Sequence, residues 1–209
     1  MVRIALIHAT EIGIPPTKKA FSSIWPEAEL VHLLDDSLSR DRLKGKDTTD
    51  RISALADYAV SLESQAILYT CSAFGEAIRN VQNRLQMPVF KPNEAMFDLV
   101  FKAGTRIAML ATFKPSIPSM EKEYYEGASE GAAITSYFVE GAREASDGGD
   151  LDLHNRLIAE AASTLNDFDA IVLAHFSMSP ALKLCESVTQ LPVLTAPETA
   201  VRKLKECCL

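Results

Sequence analysis

Two aliphatic runs in this sequence each end on a side chain that can exchange a proton. AILYTC (66–71) finishes on the thiol of Cys71, and AIVLAH (170–175) finishes on the imidazole of His175. Both groups serve as general acids and bases near neutral pH once their surroundings tune them. An apolar run of this length reads as a buried strand, and in parallel α/β sheets ligands bind beyond the carboxyl ends of the strands. Each reactive residue is expected to begin a helix, where unpaired N–H groups favour an anion, lower a thiol pKa and keep an imidazole neutral. Ser72, next to Cys71, and Phe176 and Ser177, next to His175, are candidates to contact that anion.

The elements that would position these residues alternate along the chain. RIALIHAT (3–10) reads as a strand, and a loop with Pro15 and Pro16, a helix and the strand AELVHLL (28–34) follow it. A helix near 49–64, AILYTC, a helix from about 73 to 86 and MPVFKP (87–92) complete the first series. The order then restarts with RIAMLAT (106–112), a helix near 116–127, AAITSYFV (132–139), a helix near 150–165 and AIVLAH. A helix from about 179 to 189, LPVLTAP (191–197) and a closing helix end it. Strands alternating with helices predict α/β architecture with parallel sheets.

The two series are also in register. Residues 66–95 overlie 170–199 without a gap, so that Ala-Ile opens both, Pro-Val recurs at 88–89 and 192–193, and Glu94 overlies Glu198. Cys71 then overlies His175. The expected fold is two similar parallel-sheet α/β halves, residues 1–93 plus 197–209 and residues 94–196. A pseudo-two-fold axis would set Cys71 and His175 on opposite walls of one active-site cleft. Thr10 and Thr112, which close the first strand of each series, would supply hydroxyls to it.

Composition narrows the partners. A net charge of −7 with no Lys/Arg cluster among aromatics argues against nucleic acid. No apolar stretch nears the roughly 20 residues needed to span a bilayer. Four cysteines without CxxC spacing point to no zinc site and to thiols in a reducing cytoplasm. KGKDTT (44–49) holds only a fragment of a phosphate loop and follows no strand, so no cofactor and no metal are expected.

ILYTCSAFG around Cys71, GTRIAMLATFKPSIPSMEKEY (104–124), FDAIVLAHFSMS (168–179) and LPVLTAPETAV (191–201) resemble the aspartate/glutamate racemase superfamily. That superfamily includes hydantoin racemase, maleate isomerase and arylmalonate decarboxylase. Cys71 matches its first catalytic cysteine, His175 stands where the second usually stands, and Thr112 matches the leading threonine of the middle motif. Ser116 falls one position later than the usual hydroxyl. The resemblance implies a cofactor-independent racemase or isomerase of a small carboxylate-bearing substrate, an amino acid or hydantoin-like molecule, assembled as a homodimer or higher homo-oligomer. A single-thiol decarboxylase, a maleate-type cis–trans isomerase and a non-catalytic anion-binding protein are the alternatives.

Overall fold

A computed structural model describes residues 1–209 and divides into two compact units, Met1–Glu94 with Pro197–Leu209, and Ala95–Ala196. In the first, β1 (Arg3–His8), α1 (Ile14–Ile24), β2 (Glu29–Leu34), α2 (Ser37–Leu43), α3 (Thr49–Ser61), β3 (Ala66–Tyr69), α4 (Gly75–Arg84) and β4 (Val89–Phe90) follow in order. The strands are all parallel and lie as β2-β1-β3-β4. Every residue of β3 is buried, as a strand covered on both faces by helices must be. Ala5, Ile7, Ile67 and Tyr69 pack with Ile52, Ala56, Phe74 and Ile78 into the core beneath the sheet.

The second unit repeats this plan. After α5 (Glu94–Ala103) come β5 (Arg106–Ala111), α6 (Ile117–Gly127), β6 (Ala133–Phe138), α7 (Ala142–Asp147), α8 (Leu151–Ser163), β7 (Ala170–Leu173), α9 (Leu182–Val188) and β8 (Val193–Thr195). Its parallel order, β6-β5-β7-β8, matches that of the first unit strand for strand. Ala66 to Ala170, and Glu29 to Ala133, are both shifts of 104 positions. Even the tie between strand starts recurs. Gln65 Oε1 accepts the Arg3 N–H at 3.1 Å, and Asp169, its counterpart, accepts the Thr105 and Arg106 N–H groups at 2.8 Å each. Prolines open α1 and α6 in their first turns, where a missing N–H costs nothing.

The closing helix α10 (Ala196–Cys208) belongs almost wholly to the first unit. Lys205 Nζ donates to the Ile24 carbonyl at 2.9 Å, and the Lys203 ammonium lies 5.7 Å from the centre of the Phe90 ring.

The structure corrects one expectation about helix starts. Cys71 and His175 do not begin α-helices. A three-residue 3₁₀ turn, Ser72–Phe74, separates Cys71 from α4, and a six-residue 3₁₀ stretch, Phe176–Ala181, separates His175 from α9. Pro180 sits inside the second stretch, where it has no N–H to continue an α-helical ladder. α2, α5 and α7 are further helices beyond those expected.

Candidate functional site

Both reactive residues stand at the same station of their units. Cys71 lies two residues past the end of β3, half-buried and in extended backbone (φ −121°, ψ 120°). His175 lies two residues past the end of β7, also partly exposed and extended (φ −115°, ψ 146°). The four cysteines are thiols, and no group of three His, Cys, Asp or Glu side chains is arranged to hold a metal. No helix is long and apolar enough to cross a membrane.

In the second unit Thr112, Ser116 and His175 converge. The Thr112 N–H donates to His175 Nδ1 at 3.3 Å, and the Thr112 hydroxyl lies 3.1 Å from the same nitrogen. Ser116 Oγ is 2.8 Å from His175 Nε2 and donates its own hydrogen to the Phe113 carbonyl at 2.8 Å. A backbone N–H can only donate, so Nδ1 accepts and Nε2 carries the ring proton, donating to Ser116. Desolvation holds the imidazole pKa down to about 3, with Arg143 and His154 adding positive potential. The ring is therefore neutral at pH 7.

Arg143 escapes sequence reading because it lies five residues beyond β6, in no motif. Its guanidinium stacks 4.5 Å from the centre of the Phe113 ring and lies 3.4 Å from Asp147. Phe176 is 2% exposed and packs in the core. The Ser177 carbonyl lies 3.2 Å from His154 Nε2.

In the first unit the strand ends carry a different network. His8 is fully buried, with Nδ1 2.8 Å from Thr70 Oγ1 and Nε2 2.9 Å from His32 Nδ1. Thr70 Oγ1 donates to the Ile7 carbonyl at 3.3 Å, so the protons run from His32 to His8 to Thr70. Burial, then His32 and Lys18, hold the His8 pKa down to about 4. Thr70 is the residue before Cys71, so this chain of hydrogen bonds anchors the backbone that presents the thiol. Ser72 is buried, and Thr10 is partly exposed with no side-chain bond capping the turn it precedes. The pairing of His8 with His32 is hidden from the sequence because the two lie 24 positions apart.

No protein-family model and no curated protein matches the sequence. Solved structures do match. Glutamate racemase from Bacillus anthracis is 13% identical with a TM-score of 0.76, over 98% of this chain and 80% of its own. Allantoin racemase from Pseudomonas fluorescens is 16% identical with a TM-score of 0.71, over 98% and 90%. Aspartate racemase from Picrophilus torridus is 13% identical with a TM-score of 0.74, over 99% and 94%. The chain has the fold of these racemases.

Proposed function

We propose that this chain is a cofactor-independent isomerase of the racemase type, acting on a small carboxylate-bearing substrate such as an amino acid or a hydantoin. The observation that supports it is the equivalence of Cys71 and His175, each two residues past the third strand of a repeated sheet. In this reading the two groups work on opposite faces of one carbon. Cys71 as thiolate takes the proton, the C–H electron pair moves into the adjacent carbonyl as an enolate, and His175, protonated beside the bound anion, gives its proton to the other face. Hydroxyls of Ser72 and Thr112, and the Arg143 charge, would stabilise the developing oxyanion. The chain is read as a homo-oligomer of the cytoplasm.

The bonding of His175 favours a second reading. A ring with pKa about 3 holds no second proton at pH 7, and both its nitrogens are engaged. To act as the partner acid, His175 must exchange Ser116 for substrate and regain basicity beside a bound anion. If it does not, Cys71 works alone, and decarboxylation or cis–trans isomerisation follows, with the imidazole only polarising the substrate.

Proton NMR in D₂O, on amino acids, hydantoins, malonates and maleate, reads exchange, racemisation and decarboxylation together. The racemase reading expects α-deuterium incorporation with loss of optical purity, abolished in Cys71→Ala and lost as racemisation in His175→Gln. Wild-type turnover by His175→Gln selects the single-thiol reading. Binding without exchange or turnover of any compound would leave only an anion-binding protein.

A further inference from the structure

Asn93 is fully buried, and neither its Oδ1 nor its Nδ2 has a hydrogen-bond partner in the protein. Buried amides are nearly always paired, because stripping one of water without replacement destabilises the fold. The backbone around it is nevertheless tightly held. Gln82 Nε2 donates to the Val89 carbonyl at 2.8 Å and to Glu94 Oε2 at 2.9 Å, and the Lys91 N–H reaches the same carboxylate oxygen at 3.4 Å. The segment after β4 is fixed by its neighbours while its one amide goes unused.

Its position relates it to the thiol. β3 and β4 are adjacent parallel strands with Leu68 opposite Phe90, and three residues beyond each stand Cys71 and Asn93. Both therefore follow the carboxyl ends of neighbouring strands in one unit. The repeat puts Pro197 at the place corresponding to Asn93, where no side chain can donate or accept. The amide is thus a one-sided feature.

A side-chain amide presents N–H donors beside a carbonyl acceptor. A carboxylate alone satisfies only Nδ2, and an ammonium alone satisfies only Oδ1. We infer that Asn93 is a specificity-determining residue of the candidate site, taking a substrate edge on which an N–H lies beside a carbonyl or carboxylate oxygen. α-Amino acids and cyclic ureides carry such an edge, whereas malonates and maleate do not. The inference rests on the isomerase reading and sorts the substrates within it.

The test is calorimetric binding of D- and L-glutamate, hydantoin, phenylmalonate and maleate to wild type, Asn93→Leu and Asn93→Asp, with the melting temperature of each ligand-free protein. Wild type should bind glutamate or hydantoin about tenfold or more tightly than the two diacids. Asn93→Leu should lose that preference while melting no lower than wild type, because leucine fills similar space with no amide to desolvate. Asn93→Asp, equal in size but without donors, should lose it too. Three results overturn the inference: a wild type that prefers the diacids, variants that weaken every ligand alike, or variants that keep the preference. A lower melting temperature in both variants does so as well, since it assigns the amide to an internal water. Failure of wild type to bind any of the five overturns the isomerase reading itself, and this inference with it.

Discussion

The backbone N–H of Thr112 points at His175 Nδ1 across 3.3 Å, and that single contact decides which ring nitrogen holds the proton. Side-chain hydroxyls can turn to donate or accept, but an amide hydrogen cannot. The strand end before α6 thereby fixes the tautomer of a residue 63 positions later.

Long-range proton–nitrogen spectra should accordingly find His175 as one neutral tautomer, protonated at Nε2, from about pH 5 to about pH 8. Its pKa near 3 places the titration below that window. Adding a carboxylate ligand that seats beside the ring should raise the midpoint. A ligand-free midpoint near the ordinary histidine value would remove the neutral-ring account and return His175 to service as a conventional base.

Thr112→Val removes the hydroxyl and keeps the backbone N–H, so the tautomer survives. Substrate or anion binding should weaken by roughly five- to tenfold, the worth of one hydrogen bond, with the unfolding midpoint nearly unchanged. Unaltered binding in that variant would take Thr112 out of the site.

His8 makes the first unit sensitive to acid. Its folded pKa, about 4, lies below the roughly 6.5 of an unfolded histidine. The unfolded chain therefore binds the proton more readily, and the stabilisation from the neutral ring, complete above about pH 6.5, is lost as pH falls toward 4. From pH 7 to pH 5 this single group should cost about 2 kcal/mol. Urea unfolding at the two pH values, compared with His8→Gln, measures it. An identical loss in the variant would assign the acid sensitivity elsewhere.

The parts of this fold that the sequence makes legible are those governed by burial. The runs at 66–69 and 170–173 are buried throughout, so they stand out as apolar blocks and their 104-residue shift could be read by eye. α2 and α7 are seven and six residues long, too short for a 3.6-residue period to emerge. α5 does bury one face, through Ala95, Met96, Phe97 and Val100, but it falls where the repeat restarts and reads as a joint. At the site, Thr112 and His175 stand out because they follow strand ends, and Ser116 through its resemblance to the motif's hydroxyl. Their mutual bonds, like that of His8 to His32, depend on which strands lie side by side. Sequence spacing does not carry that information. Nor does any local pattern distinguish Asn93, whose interest lies wholly in what it fails to touch.

The return of α10 to the first unit orders events during synthesis. Residues 95–196 form a unit from one uninterrupted stretch, whereas the unit begun at Met1 needs Pro197–Leu209 to be whole. A ribosome adding roughly 5–20 residues each second keeps that earlier half waiting on the order of ten seconds for its last helix. The half that emerges first is finished last. Until Lys205 can reach the Ile24 carbonyl, the nascent chain carries an incomplete unit beside a segment that already holds every residue its own sheet requires.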